Sequence, residues 1–393
     1  MRLTLAAIYV LLGVFGCFFA AFFAVVADVK DVLELSTFEI GVSLTGLGVA
    51  MVLFALPVGF LIDRFGPRRL TLAGGVVLLL SAVGHAVAVD VWSLLGSRLL
   101  LGLAATIVLP ASLTWLRDLV PAERRSMALS AVMPVIGVGS VIGPVMGGAI
   151  ADSAGVRVAF WAIAGGVVAS IGLLLFSAAA PHLSTEPTAR PRVILPLLRR
   201  EPLVLGACVT VIIATLGESI VNFLVPLQLD EHGVSATTIG VYFAAGSVLF
   251  VVAGAVVARF ADKTVRLLVS GVASVTLVVL LTPLIGSDAL AVLVSVLILR
   301  MAVLGVLWTI AFPLGGLGAT RAGLASGAIF GVLMTTIGVC NIVGTLVAGL
   351  LADGRGFWAA YVLLAATCAV GALVLLRLAL RPRPDRVVPT AAV

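Results

Sequence analysis

Glu218 is the one acid of this sequence placed well inside an apolar run, whereas Asp28, Asp90, Asp152, Asp230, Asp288 and Asp353 fall at run ends. A carboxyl in a low dielectric favours its neutral form, which suits it to taking up and releasing a proton. Asn222 follows one helical turn later on the same face, and a hydrogen bond between helices is the plainer use of such residues. Arg98 and Arg300 also interrupt long apolar runs, where a guanidinium must be paired, hydrated or functional. Arg98 sits near enough to one end of its run to snorkel to the surface. Arg300 lies deeper, where pairing with carbonyls or a helix end is the alternative. Asp28, closing the first run, is a second candidate for handling protons, and His85 reads as a packed or interfacial histidine. The three histidines form no HExxH, and no Walker loop or nucleophile triad is present. The chain is therefore not expected to be an enzyme, and neither cofactor nor metal is expected. The remaining chemistry is reversible protonation and charge pairing, driven by gradients.

The elements that must position these groups are set by composition. Of 393 residues, 62% are apolar and 11% charged, against about a quarter charged in a soluble domain. Mean hydropathy is +1.28. Folding in water cannot bury that much apolar surface, which excludes a soluble enzyme, a disordered chain and a secreted disulfide scaffold. Four cysteines (Cys17, Cys208, Cys340, Cys368) lie in apolar runs without CxxC spacing and read as buried free thiols. Runs of about 20–25 residues can each cross a bilayer. They fall at about 5–27, 39–62, 70–89, 92–116, 126–151 and 157–180, then at about 203–229, 236–260, 265–286, 289–317, 322–352 and 356–379.

The sequence thus predicts an all-α membrane protein of twelve transmembrane helices. Residues 1–180 form one six-helix bundle, 181–202 a cytoplasmic linker, and 203–393 a second bundle with a short tail. Of the 24 basic residues, Arg98 and Arg300 lie within spans. Lys30, Arg157 and Arg355 fall on one side, and the remaining nineteen on the other. That bias places both termini in the cytoplasm. The net charge of +6 is loop punctuation of this kind, so no nucleic-acid partner is expected. The halves also repeat. GFLIDRFGPRR (59–69) is echoed by GAVVARFADK (254–263), Arg98 by Arg300, and GPVMGGAIAD (143–152) by GTLVAGLLAD (344–353). Such a duplication puts a cavity between the halves near the membrane midplane.

GFLIDRFGPRR ends a hydrophobic span in charges and a tight turn. Gly59 permits close packing, Gly66 a reversal, and Asp63 can accept from a helix N-terminus or an arginine. Arg64, Arg68 and Arg69 can pair with acids at neighbouring helix ends such as Asp118, so that the cluster latches one state and releases another. The stretch resembles the G-x-L-x-D-R-x-G-R/K-R/K signature of the major facilitator superfamily of secondary transporters. Gly59, Leu61, Asp63, Arg64, Gly66, Arg68 and Arg69 match, and Pro67 stands where a basic residue is usual. With twelve spans, two halves and a linker, the resemblance covers essentially the whole chain.

Within that superfamily, GSVIGPVMGG (139–148) is similar to the G-x-x-x-G-P-x-x-G-G motif of drug–proton antiporters, through Gly139, Gly143, Pro144, Gly147 and Gly148. The glycines make a smooth helix face, and Pro144 frees the carbonyl of Ser140 and bends the helix there. SRLLLGLAA (97–105) resembles the antiporters' R-x-x-Q-G-x-x-A pattern, with Leu101 in place of the Gln. The resemblance implies a monomeric inner- or plasma-membrane carrier that exports small, mostly apolar compounds in exchange for protons by alternating access. Glu218, Arg98 and Asp28 would serve the proton, with Arg98 biasing Glu218. Phe22, Phe23, Phe223, Trp308, Asn222 and Arg300 would line the cavity. The alternatives are a carrier of small organic or inorganic anions, since two intramembrane arginines outnumber one glutamate, and a membrane sensor that binds without transporting.

Overall fold

The computed structural model describes residues 2–176, 201–260, 266–321 and 326–380. Everything described is helix and short connection. The first half comprises α1 (Arg2–Ala24), α2 (Val26–Val32), α3 (Thr37–Phe65), α4 (Pro67–Val87), α5 (Val91–Leu119), α6 (Ala122–Ser130), α7 (Val132–Ala154) and α8 (Val156–Leu175). The second comprises α9 (Pro202–Glu231), α10 (Ala236–Phe260), α11 (Arg266–Leu281), α12 (Pro283–Gly286), α13 (Leu290–Arg321), α14 (Ser326–Arg355) and α15 (Phe357–Leu380). Among the described residues, 12 helices are long and apolar enough to cross a membrane.

Local sequence explains most boundaries. Ser36 and Glu39 form a capping box at the start of α3, and Asp90 with Ser93 does the same for α5. Gly66 (φ +82°), Gly155 (+94°) and Gly356 (+90°) each join two long helices through a single left-handed residue. Three expected spans are interrupted. The first stops at Ala24, because Val25 bonds back to Phe22 in a tightened turn and α2 sets off separately with Asp28. The fifth breaks at Ala131, where Pro134 has no N–H for the carbonyl of Ser130. The ninth ends at Leu281, since Pro283 cannot serve Val279. The chain enters α9 already at Pro202, inside the expected linker. The rest of that linker (181–200) lies outside the described residues.

The two halves pack alike. In the first, α1 meets α7, α3 meets α5 and α4 meets α8; in the second, α9 meets α14, α10 meets α13 and α11 meets α15. The bundles join through α3 against α14 and α7 against α10, so the second span of each half packs against the fifth span of the other. One face of the molecule carries Arg64, Arg68, Arg69 and Arg117; the opposite face carries Asp28, Asp31, Asp152, Asp230 and Asp353. They are called below the basic and acidic faces.

Candidate functional site

Antiparallel α9 and α13 bring together Glu218, Asn222, Arg300 and Trp308. Trp308 Nε1 donates to Glu218 Oε2 at 3.2 Å. Eight residues before Trp308 and four after Glu218, Arg300 Nη2 donates to Asn222 Oδ1. Arg300 has no exposed surface, and its charge and that of Glu218 act on each other. Glu218 itself keeps partial exposure. Phe312 stacks on Trp308, centroids 6.1 Å apart and planes within 19°. From α14, Asn341 Nδ2 donates to Ser219 Oγ at 3.2 Å. The second half therefore holds a polar belt in which one carboxyl and one guanidinium feel each other's charge without forming an ion pair.

Arg98 does not join this belt. It is 1% exposed, so it does not snorkel, and its guanidinium carbon lies 3.2 Å from the centroid of the Phe22 ring in α1. His85 of α4 is packed behind it at 4% exposure, with Nδ1 2.8 Å from the Ser81 carbonyl, to which it donates. Its ring lies 5.2 Å from both Phe18 and Phe160. Arg98 and Glu218 sit in different bundles, and the charge that bears on Glu218 is Arg300.

The remaining expected wall residues mark the seam between bundles. Phe23 is 6.1 Å from Phe22 and stacks on Phe243 of α10 at 6.3 Å. Phe223 is fully buried, and a Cβ added to Gly41 in α3 would lie 3.5 Å from its ring edge. It is therefore a seam residue in this state and lines no open cavity.

The glycines of the fifth span let α7 approach α1 closely within its own bundle and α10 across the seam. A Cβ on Gly139 or Gly143 would run into the backbone of Gly13 and Cys17 in α1, and one on Gly148 into that of Ala236 in α10. A Cβ on Gly147 would press on Ala21 at 3.1 Å. Pro144 leaves the Ser140 carbonyl without its helical donor, and Ser247 Oγ of α10 donates to it at 3.4 Å. At the acidic face, Asp152 at the end of α7 accepts from the backbone N–H groups of Ala236 and Thr237 at 3.2 and 2.9 Å. Asp353 at the end of α14 accepts from that of Phe38 at 2.8 Å. Each carboxylate sits on the N-terminus of a helix of the opposite bundle, where four orphan donors and the helix dipole favour an anion. Burial first, then the charges of Asp230, Asp152 and Asp31, push the Asp28 carboxyl up to about 6.

At the basic face, Asp118 pairs with Arg117 of its own helix at 3.0 Å, a partner the sequence reading did not consider. Arg64 lies over the Phe65 ring at 5.4 Å, Arg68 Nη2 donates to the Leu175 carbonyl at 3.4 Å, and Arg69 is exposed. The surroundings of Gly59 and Asp63 lie outside the described residues. Sequence reasoning missed the cross-bundle role of Asp152 and Asp353, and Asn341 altogether. The signal for the first was available: the aspartate closes both copies of the glycine-rich repeat.

Residues 6–332 match the sequence model of the Major Facilitator Superfamily. The chain is 34% identical over 140 residues to the MFS-type transporter Rv1250 of Mycobacterium tuberculosis, covering 35% of this chain and 24% of that one. It is 29% identical over 147 residues to the inner membrane transport protein YajR of Escherichia coli, covering 37% and 32%. The matched stretches thus span a quarter to a third of these relatives. Among solved structures, the nucleoside transporter NupG superposes with a TM-score of 0.76 at 14% identity, covering 95% of this chain and 99% of that one. A bacterial homologue of the human lysosomal transporter Spinster superposes at 0.71 and 13%, covering 96% and 95%. At such identities the likeness is one of fold.

Proposed function

The chain belongs to the Major Facilitator Superfamily and is a multi-pass membrane transporter, and we propose that it exports small, mostly apolar compounds in exchange for protons, with Glu218 as the coupling carboxyl. The observation that carries this reading is the Glu218–Trp308 contact beside Arg300. With Glu218 ionised, the pair with Arg300 sums to zero. With Glu218 protonated, Arg300 keeps its charge and Asn222 is its remaining polar partner. An unmatched charge in a low dielectric is costly, so proton occupancy changes which arrangement of the bundles is favoured. The partial exposure of Glu218 supports proton access.

In this reading the basic face is cytoplasmic, both termini lie there, and the protein works as a monomer in the inner membrane. The seam at the acidic face is then the outer gate, closed here by the two aspartate caps and the Phe23–Phe243 stack. The latch role of Asp63, Arg64, Arg68 and Arg69 belongs to the same proposal, at the opposite gate. The test is purified protein in proteoliposomes with an imposed pH gradient and a lipophilic dye. Dye movement that follows the gradient is expected. Movement indifferent to the gradient would remove proton coupling.

A further inference from the structure

Arg98 and Arg300 occupy matching positions in the two halves, but among the described residues only Arg300 has a carboxylate whose charge acts on it. Arg300 feels the Glu218 charge without an ion pair to it, donates through Nη2 to Asn222 and leaves its Nε unpartnered. Arg98 is equally buried, and among the described residues no carboxylate lies within ion-pair reach of it. Its Nε and Nη2 have no hydrogen-bond partner. Those two N–H groups stand side by side on one edge of the planar guanidinium, the edge that grips a carboxylate with two parallel bonds. One face of the same group is covered by Phe22, whose π-electrons only partly offset a buried cation. The titratable group that feels the Arg98 charge is His85. Its Nδ1 is committed to Ser81 and its Nε2 is unpartnered, so it supplies no negative charge.

The site is also placed where a transported compound can reach it. Phe22 touches Phe23, and Phe23 stacks on Phe243 across the seam, so Arg98 lies one ring layer behind the surface that separates when the bundles part. Phe160 packs on the Phe22 ring that covers Arg98, and Phe18 packs on Phe160 and His85.

We propose that the exported compound is a mostly apolar molecule bearing one carboxylate, and that the free edge of Arg98 reads that group while the surrounding phenylalanines hold the apolar body. The proposal deepens the transport reading and rests on it for the compound's passage, though not for its binding. Phe22 covers the guanidinium in the closed state and yields its place as the seam opens.

The experiment uses the purified full chain and three probes with one apolar body: 4-phenylbutyrate, 4-phenylbutylamine and 4-phenylbutanol. Calorimetric binding to the wild type is expected to favour the carboxylate over the amine and the alcohol by about tenfold or more. Arg98→Gln should lower carboxylate affinity about ten- to hundredfold and leave the alcohol unchanged, and Arg98→Lys should fall between them. Equal or absent binding of the three probes to the wild type overturns the proposal, and that arm needs no variant to fold. So does carboxylate affinity that survives in a monodisperse Arg98→Gln protein. Chloride or inorganic phosphate displacing phenylbutyrate at similar concentration would reduce the site to one for a resident counter-ion and equally overturn it. Dye transport indifferent to a pH gradient, beside intact carboxylate preference, would strike the coupling reading alone. Gradient-driven transport without that preference would strike this one alone.

Discussion

Asp152 and Asp353 close the two copies of one repeat, and each caps a helix that belongs to the other half. The caps are made to be released. The helices they hold have caps of their own, Ser36 Oγ accepting from Glu39 and Ser235 Oγ from Thr238. When a bundle swings away, only the outermost N–H groups pass to water, and the helix does not fray. The acidic face is thus held by contacts strong enough to bias a state and weak enough to break in each cycle.

Replacing both aspartates by alanine should therefore open the acidic face. A lost helix cap is worth about 1 kcal/mol, so the double variant should shift the open-to-closed ratio by about thirtyfold, and each single variant by about fivefold. Spin labels at Ala154 and Ala289, one on each bundle at this face, report the distance between bundles. A distance distribution unmoved in the double variant would mean that the caps do not set the equilibrium.

Glu218→Gln retains an oxygen to accept from Trp308 Nε1 but leaves Arg300 unmatched at every pH, so it imitates the protonated state. Transport driven by a pH gradient should vanish, while exchange of substrate across vesicles at equal pH should persist. Trp308→Phe removes one hydrogen bond, about 0.5–1.5 kcal/mol, and should change turnover only severalfold. Intact gradient drive in Glu218→Gln would take this carboxyl out of the mechanism.

How far the sequence shows this arrangement depends on the kind of relation. Apolar length and loop charge give twelve spans because bilayer thickness and positive-inside bias act on each segment separately. Depth within a helix is equally readable, which is why Glu218, Arg98 and Arg300 stand out. Rotation is not. Whether Arg98 or Arg300 faces Glu218 depends on how α5 and α13 are turned, and an apolar helix buried on several sides carries no polar stripe to say so. The caps join residues 85 and 315 positions apart, a separation at which only the finished packing reveals a partner. The interruption at Val25 is also hidden, since hydropathy continues smoothly across it, whereas Pro134 marks the break at Ala131 in the sequence itself.

Gly139 and Gly143 provide a test of packing in which the outcome depends on position alone. Alanine at either site would drive a methyl group into backbone atoms of α1, which cannot rotate away. Overpacking of this kind costs about 1–3 kcal/mol, so thermal unfolding in detergent should move several degrees lower. Gly165 and Gly172 in α8 have nothing within 4 Å of a new Cβ. Alanine there should be neutral or stabilise by about 0.5–1 kcal/mol. Equal effects at both pairs of sites would contradict the close contact of α1 and α7.

Asp28 makes closure of the acidic face depend on pH, with a sign fixed by its neighbours. With that face closed, the carboxyl titrates at about 6, raised by burial and by Asp230, Asp152 and Asp31, against an ordinary value of 3.8. Asp152 and Asp230 belong to α7 and α9, on opposite sides of the seam, so opening separates these charges and lets water reach Asp28. Its pKa then falls back toward the ordinary value. Between the two values the closed state binds more protons than the open one, and by linkage a falling pH favours the closed state. Above about 6 that preference is spent, because Asp28 is ionised either way and the closed face must hold its repelling carboxylates together. Lys30, on the same short helix, acts on Asp230, whose ionised form it favours. The closed fraction reported by labels at Ala154 and Ala289 should accordingly decline as pH rises from about 4 to about 6 and level off above that, with its midpoint inside the window between the ordinary 3.8 and the value of about 6 for Asp28. Asp28→Asn should stay predominantly closed across that range and lose the midpoint. A wild-type curve that rises instead, or an Asp28→Asn curve that keeps the same midpoint, would assign the pH dependence to another group.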